Sequence, residues 1–425
     1  MQIGNSRHYL EYCLSWAEER LRDYQSPAEV AEAIEDINAY PGLDKLKDPQ
    51  SIRFLSETDG QTGIGRRSVL EGRVLWEHPA AGEGTRLGLG PKYFITPEVL
   101  AQRQEDQARW RKLLPISLGR RHLFQLVYEI KTLAEEAGFD PKKVLSRQTF
   151  LVIGAEDFIS RLSADVNTAL RAHVPQENVW FMGQAAFPGL DREPGGGPWR
   201  FDQNSPKRLH NHGHMAMQKA MDEQIFRKDW DGRPSHLHRG EFFSRLGEFE
   251  NLISSNIEDL DYLHGALDLS ALGLAARLAH SDFGLLMEIT KNNQERPVKG
   301  GMCVHDPALG RDVVIESLRL RGIQPRDIKY INKNINHFPR PKNAMTRLKE
   351  NGLFMNAAVF DDKVYFLPVQ GDINFLVKTA YFIRSDARQL NSLKTAADIP
   401  AALEAMEIQD GQPGFQELAA KSGLF

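Results

Sequence analysis

The chain has 425 residues and a mass of 48.1 kDa, and its 53 Lys and Arg against 57 Asp and Glu give a formal net charge of −4. This balance excludes a protein that coats nucleic acid with a broad cationic face, because such binding depends on many basic groups displacing counterions from phosphates. With 41% hydrophobic and 26% charged residues, the chain has the composition of a soluble globular protein with a sizeable core.

Membrane insertion and disulfide bonding are also not expected. No run approaches the roughly 18 to 20 apolar residues that span a bilayer, and charged residues interrupt the N-terminal region before a signal sequence could form. The two cysteines, Cys13 and Cys303, lie far apart in the sequence, which argues against a disulfide framework and against a Cys-based metal site. We therefore expect a cytoplasmic protein.

The N-terminal part is predicted to be helical and peripheral. Apolar residues recur at helical spacing between Tyr9 and Leu21, and Ser26-Pro27 with Glu29 is typical of a helix start. The polar, glycine-containing stretch from Ser51 to Gly72 is interpreted as a linker. Residues 1–71 are therefore predicted to be a helical segment and linker that precede the main domain.

Strand-like and helix-like segments alternate from residue 73 onward, which predicts an α/β core over residues 72–382 with a largely parallel sheet and ligands at the carboxyl ends of its strands. The predicted strands are Arg73–His78, Thr149–Gly154, Asn178–Met182, Asn251–Asn256 and Phe283–Thr290, and the predicted helices are Arg120–Gly138, Phe158–His173 and Ser270–His280. The Gly/Pro-rich residues 189–206 are interpreted as a mobile flap. Residues 383–425 are predicted to form a small helical part, with helices at Ser385–Lys394 and Ala397–Met406.

A glycine-rich loop, residues 79–92, directly follows the first core strand. The small residues Ala80, Ala81, Gly82 and Gly84 would let backbone N–H groups approach a polyphosphate, and Arg86 and Lys92 would add cations. The glycine spacing does not match a dinucleotide fingerprint, and no Gly-Lys-Ser/Thr follows as in a Walker A loop. The alternative is a solvated turn that carries two surface cations.

This loop resembles the signature of the eukaryotic-type UDP-sugar pyrophosphorylases, the family of UTP–glucose-1-phosphate uridylyltransferase and UDP-N-acetylhexosamine pyrophosphorylase. Further landmarks follow in the order of that family over roughly residues 72–380. They are Gln184, His212-Gly213, Asn256-Ile257-Glu258-Asp259-Leu260, Met287-Glu288-Ile289-Thr290, Val298-Lys299-Gly300-Gly301, Glu316, Asn332-Lys333-Asn334 and Leu367-Pro368-Val369-Gln370. The resemblance implies a nucleotidyltransferase-type, Rossmann-like α/β core with a mixed sheet and helical N- and C-terminal appendages.

The resemblance also implies roles for individual residues. The nucleotide would be bound by Ala80, Ala81, Gly82, Gly84, Gln184 and Asn211, and Mg²⁺ by Glu258 or, as second choice, Asp259. The sugar phosphate would be bound by His212, Asn256, Gly300, Glu316 and Asn334. The catalytic set would be Arg86, Lys92, Lys299 and Gln370, where Gln370 stands in the position of a family lysine.

The implied activity is transfer of UMP from UTP to a hexose 1-phosphate, with Mg²⁺ as cofactor, UTP and a sugar 1-phosphate as partners, and a monomer or small homo-oligomer as the assembly. Two alternatives stay open. Because Gln370 carries no positive charge and Asn211 and His214 also depart from the family pattern, the chain could bind a UDP-sugar without turnover. Five histidines, His210, His212, His214, His236 and His238, could instead build a zinc hydrolase if alternate positions share one face of a strand.

Overall fold

A computed structural model describes residues 7–55, 61–82, 84, 87–193, 195–209, 212–238, 240–295, 297–384 and 391–421, without the side chains of Arg7 and Asn334. The helices are α1 Arg7–Arg20, α2 Pro27–Glu32, α3 Ile34–Asn38, α4 Thr62–Leu70, α5 Pro97–Ala101, α6 Gln107–Trp110, α7 Leu118–Glu136, α8 Pro141–Leu145, α9 Ile159–Leu170, α10 His212–Met221, α11 Glu241–Leu246, α12 Leu269–Leu278, α13 Pro341–Asn351, α14 Ile399–Asp410 and α15 Phe415–Lys421.

The strands are β1 Ile52–Leu55, β2 Val74–Pro79, β3 Thr149–Ala155, β4 Val179–Gln184, β5 Leu190–Arg192, β6 Trp199–Phe201, β7 Ile225–Lys228, β8 Pro234–His236, β9 Asn251–Ser254, β10 Phe283–Lys291, β11 Met302–Asp306, β12 Arg311–Ile315, β13 Tyr330–Pro339, β14 Ala357–Phe360, β15 Lys363–Phe366 and β16 Lys378–Arg384. Every core strand and helix that the sequence predicts between residues 73 and 290 is present, with ends shifted by a few residues.

The central sheet is mixed. Among the described residues its strands follow the order β1-β16-β10-β13-β9-β2-β3-β4-β7-β8, with β11 and β12 attached to β13. Parallel pairing joins β9, β2, β3 and β4, whereas β13 and β7 run antiparallel to their neighbours. The α/β class is confirmed, and the expected parallel sheet is limited to the centre and to the β1-β16-β10 group.

The central strands form because they are apolar on both faces. All residues of β2, β3 and β4 are buried, as expected for parallel strands covered by helices on both sides. Successive side chains alternate between two cores: Trp76 and Phe150 pack on the side of α7 and α9, whereas Leu75 and Leu151 pack on the side of α1 and α10.

The predicted linker at residues 51–72 is wrong where the structure describes it. Residues 52–55 form β1, which pairs in parallel with β16, and residues 62–70 form α4, which packs against α12. The two helices approach through Gly65 and Gly273, because a Cβ at either glycine would overlap backbone atoms of the other helix or of the residues flanking it. A contact made by glycines leaves little apolar signal in the sequence.

The predicted flap is a packed part of a second sheet. Residues 190–192 and 199–201 form β5 and β6, which join β14 and β15 in a four-stranded sheet. Trp199 is 2% exposed, and its indole N–H donates to the carbonyl of Leu21 at 3.0 Å. The segment is therefore held against the end of α1.

The C-terminal helices α14 and α15 pack on α7 and α5. The predicted helix at Ser385–Lys394 falls partly outside the described residues, and its described part, Asn391–Lys394, is not helical. This segment runs beside the chain that follows β9. The Leu393 N–H donates to the backbone carbonyl of Glu258 at 2.9 Å, and the Leu260 N–H donates to the backbone carbonyl of Asn391 at 3.0 Å. No helix among the described residues is long and apolar enough to cross a membrane.

Candidate active site

The carboxyl ends of β2, β3, β4 and β9 meet at one edge of the sheet, and the glycine-rich loop starts there. Ala80 and Ala81 are buried, and Ala80 N–H donates to the Ile153 carbonyl at 2.7 Å. The loop folds back on itself, since Lys92 N–H donates to the Gly82 carbonyl at 3.0 Å. Gly84 has φ of 58°, and a Cβ there would lie 2.7 Å from the Gly90 carbonyl oxygen, so a side chain at this position would strain the loop.

Lys92, Glu258 and Lys394 form a lysine cluster beside this loop. Lys92 is paired with one oxygen of the Glu258 carboxylate, and Lys394 Nζ lies 3.6 Å from the other oxygen. Burial alone would raise the pKa of Glu258, but the two ammonium groups outweigh it and hold that pKa below its ordinary value. Glu258 is therefore ionised at neutral pH, and the cluster carries one negative and two positive charges.

His212 and Asn256 extend the cluster along the edge. His212 opens α10, is exposed, and its Nε2 lies 3.1 Å from the Asn256 amide nitrogen. The next residue, Gly213, packs directly on the backbone of Pro368 and Val369, where a Cβ would overlap both. The start of α10 thereby brings the turn that carries Gln370 to the same edge.

A second group, the Glu316 cluster, consists of Glu316, Asn332, Gly301 and Gly371. The Asn332 amide donates to Glu316 Oε1 at 3.5 Å. A Cβ at Gly301 would lie 3.0 Å from Glu316 Oε2, and one at Gly371 would overlap Oε1, so both glycines let the backbone close on the carboxyl group. Burial, and then the charge of Asp372, raise the pKa of Glu316 to about 7.

No protein-family model and no curated protein matches the chain. Solved structures do match it. The UDP-N-acetylglucosamine pyrophosphorylase of Trypanosoma brucei is 14% identical, with a TM-score of 0.60 over 93% of this chain and 84% of that one. The UDP-glucose phosphorylase of Trypanosoma brucei is 15% identical, with a TM-score of 0.56 over 92% and 74% of the two chains. For a Leishmania major UDP-glucose pyrophosphorylase solved with UDP-glucose, the identity is 12% and the TM-score 0.55, over 94% and 79%.

The chain has the fold of the UDP-sugar pyrophosphorylases. The resemblance drawn from the glycine-rich loop and the later motifs is confirmed at this level, and so is the nucleotidyltransferase-type mixed sheet. The lysine cluster lies beyond the carboxyl ends of β2 and β9, which is where open α/β sheets in general bind their ligands.

The structure brings most of the predicted residues to this edge. The loop contains Ala80, Ala81, Gly82, Gly84 and Lys92, and Asn256 and Glu258 lie beside it. Gln184 is the buried last residue of β4. Asp259 lies next to Glu258 but is 9% exposed, and burial raises its pKa to about 6. Arg86 and Asn211 lie outside the described residues, as does the side chain of Asn334.

Lys299 lies apart from the lysine cluster. Its exposed side chain lines a cleft of 730 Å³ together with α3 and residues 317–325. Gly300, the next residue, approaches Ile331 of β13, so the backbone after Lys299 leads back towards the Glu316 cluster. The lysine side chain itself has no described contact with Lys92 or Glu258.

Lys394, which lies beside Glu258, is not among the site residues that the sequence predicts. It follows Ser392-Leu393 in a stretch that was predicted to be helical, and no local pattern distinguishes it from a surface lysine. The available signal was the order of the segments: Lys394 comes after the last strand of the sheet, and a chain leaving that strand must pass the same edge as β9.

The histidines do not share a strand face, so that part of the prediction is wrong. His212 and His214 lie on α10, and the ring of His214 is held between the hydroxyl of Tyr9 and the Phe366 carbonyl, at 2.8 Å from the latter. His236 lies on β8, and His210 is outside the described residues. In the described part of the chain, no three His, Cys, Asp or Glu side chains are close enough to hold a metal ion.

Proposed function

We propose that this protein is a uridylyltransferase that transfers UMP from UTP to a hexose 1-phosphate and releases pyrophosphate, as a cytoplasmic monomer or small homo-oligomer. The observation that carries the proposal is the lysine cluster: Lys92 and Lys394 flank Glu258 directly beside the backbone of the glycine-rich loop. Proteins bind polyphosphates through backbone N–H groups and cationic side chains. Two ammonium groups beside the backbone of a glycine-rich loop therefore suit a triphosphate.

The proposed reaction needs no covalent protein intermediate. A phosphate oxygen of the sugar 1-phosphate attacks the α-phosphorus of UTP in line, and the bond from that phosphorus to the bridging oxygen of pyrophosphate breaks. The protein holds the two phosphates together and stabilises the charge that shifts to the leaving group. In this proposal Lys92 and Lys394 supply the positive charge, and Gln184, the buried last residue of β4, binds the base.

The described residues fit a Mg²⁺ ion that arrives with the triphosphate. Such an ion takes one or two protein carboxylates and completes its shell with phosphate oxygens and water. Glu258 is ionised and its side chain is partly exposed, so it would hold the ion, whereas the buried Asp259 is the poorer candidate. When bound, Mg²⁺ would neutralise phosphate charge.

Binding of a UDP-sugar without turnover is the second candidate function. It is favoured by Gln370, which is 6% exposed and whose Nε2 has no hydrogen-bond partner among the described residues. This buried amide supplies no charge at the position where the resemblance implies a lysine. If turnover needs a cation there, Gln370→Lys should increase the rate; an unchanged rate would show that position 370 does not face the phosphates.

The deciding experiment measures pyrophosphate release from UTP with a panel of hexose 1-phosphates, with and without Mg²⁺. The proposal expects release with at least one sugar and only when Mg²⁺ is present. Binding of a UDP-sugar in calorimetry without any release would favour the second candidate, and neither binding nor release would overturn both.

Lys92→Ala tests the assignment of the site. We expect the turnover number to fall by about 10²- to 10³-fold, with a smaller change in the affinity for UTP, because the charge matters most as the leaving group forms. Lys378→Ala is the matched control, since Lys378 pairs with Asp282 at the opposite edge of the sheet. Equal turnover in the Lys92→Ala variant and the wild type would contradict the role of this lysine.

A further inference from the structure

Two short helical turns meet at the Glu316 cluster. Residues 317–319 form one turn directly after Glu316, and residues 370–375 form the other. Arg319 N–H donates to the Glu316 carbonyl at 2.9 Å, and Gly371 packs on the Glu316 carboxyl group. The position of that carboxyl group therefore depends on how the two turns are held together.

Arg319 lies between the turns in an aromatic cage. Its guanidinium carbon lies 4.2 Å from the ring centre of Phe354, 5.0 Å from Tyr40 and 5.2 Å from Phe375. The residue is 6% exposed, and its Nη1 lies 3.6 Å from Asp372 Oδ2. Asp372 is the one carboxylate within 4 Å of Arg319 in the described part of the chain.

Asp372 is buried in a way that stability alone does not explain. It is 2% exposed, and neither carboxylate oxygen accepts a hydrogen bond from a described residue. A buried ion pair with such incomplete partners often costs more free energy in desolvation than it returns, and apolar residues would pack as well. The residue before it, Gly371, contacts Glu316, so this charge is placed beside the carboxyl group for which the sequence predicts a sugar contact.

We propose that Arg319 and Asp372 are positioning residues of the sugar-phosphate end of the site: the pair joins the two turns around Glu316 and sets the charge of its carboxyl group. This rests on the proposed function, in which Glu316 accepts hydrogen bonds from the sugar hydroxyls. The charged groups that act on Glu316 among the described residues are Asp372 and Arg319, and the neutral amide of Asn332 donates to it.

Replacing Asp372 and replacing Arg319 should shift the pH dependence of KM in opposite directions. Burial, and then Asp372, raise the pKa of Glu316 to about 7, while Asn332 and Arg319 lower it. The ionised carboxyl group is the stronger acceptor and offers both oxygens to hydroxyl groups, so the KM for the sugar 1-phosphate should fall as pH rises through about 7. Burial raises the pKa of Asp372 itself to about 6, so Asp372 carries most of its charge while Glu316 titrates. Asp372→Asn should therefore move this transition to lower pH, and Arg319→Gln should move it to higher pH.

The experiment measures KM and kcat for the sugar 1-phosphate from pH 5.5 to 8.5 in the wild type and both variants. The phosphate of the substrate titrates identically in every variant, so the differences report the protein. Glu407→Gln on α14, which alters a pair with the exposed Arg109, is the control and should leave the midpoint unchanged. If Arg319→Gln does not fold, the double variant Arg319→Gln with Asp372→Asn replaces it. Its pH midpoint should then fall by less than the midpoint of Asp372→Asn alone.

A midpoint in folded Asp372→Asn that coincides with that of the wild type would overturn the proposal. If the wild type turns over no sugar, the proposed function fails, but the electrostatic part can still be measured. The Glu316 carboxyl carbon is then titrated by NMR in protein labelled at glutamate, with Glu316→Gln to assign the signal. An unshifted titration in Asp372→Asn again overturns the proposal, independently of turnover.

Discussion

At the scale of single residues, the site gathers positive charges that the net charge of the whole chain does not reveal. The net charge of −4 gives no hint of Lys92 and Lys394 on either side of Glu258. Both ammonium groups lie against the same carboxylate, which keeps them in place. A triphosphate would compete with Glu258 for the same ammonium groups.

Lys394→Ala should lower the turnover number by about 10²-fold, because a group that stabilises developing charge contributes a few kcal/mol to the transition state. The measurement is the rate of pyrophosphate release at saturating UTP and sugar 1-phosphate. Lys421→Ala is the control, since Lys421 forms an exposed pair with Glu417 on α15. An equal loss in both variants, or none in Lys394→Ala, would remove Lys394 from the proposed catalytic set.

At the scale of elements, the crossing of α4 and α12 shows how a segment that resembles a linker becomes part of the core. Gly65 and Gly273 allow the two backbones to touch, since a Cβ at Gly65 would overlap the Leu269 carbonyl. Helix α4 is short and has few apolar residues, so its packing against α12 is its main source of stability.

Gly65→Ala should destabilise the protein by about 2–3 kcal/mol, because the added methyl group forces the helices apart. Gly63→Ala on the same helix is the matched control: no atom lies within 4 Å of a Cβ there, and alanine should stabilise the helix by roughly 0.5–1 kcal/mol. Urea unfolding measures both. Equal effects of the two substitutions would show that the close contact is not tight in solution.

At the scale of the whole molecule, the described N- and C-terminal helices pack into the two cores and are part of them. Arg121 on α7 is fully buried and binds Asp410 on α14 at 2.6 Å, and Trp199 ties the second sheet to the end of α1. The C-terminal segment also carries Lys394 to the site, so its packing and the chemistry are coupled.

Asp410→Ala should therefore cost about 3–5 kcal/mol of unfolding free energy, because it leaves the Arg121 charge buried without its partner. Glu407→Ala on the same helix removes a pair with the exposed Arg109 and Lys112 and should cost no more than about 1 kcal/mol. Denaturant unfolding of the two variants gives the comparison. A similar small cost for both would mean that Arg121 is hydrated or re-paired when Asp410 is lost.

Much of the fold could be predicted because its signals are local. The strands β2, β3 and β4 are short apolar runs bounded by turn residues. The helix cap at Ser26 is equally local, because its side chain accepts from the N–H of Glu29, three residues further on. Two segments without such signals, residues 51–72 and 189–206, are polar or glycine-rich, and their prediction as a linker and a flap is wrong where the structure describes them. They are held by distant partners, β16 and the end of α1.

The sequence by itself determined the α/β class, the glycine-rich loop after β2 and the resemblance of the motifs, because these depend on composition, periodicity and spacing within short windows. The tertiary structure decided which side chains meet. It placed Glu258 at the edge and Asp259 in the interior, left Lys299 in a separate cleft, brought Lys394 to Lys92, and enclosed Asp372 beside Glu316. The physical reason is that these contacts join residues far apart in the chain, and only the pairing order of the strands brings their ends to one edge.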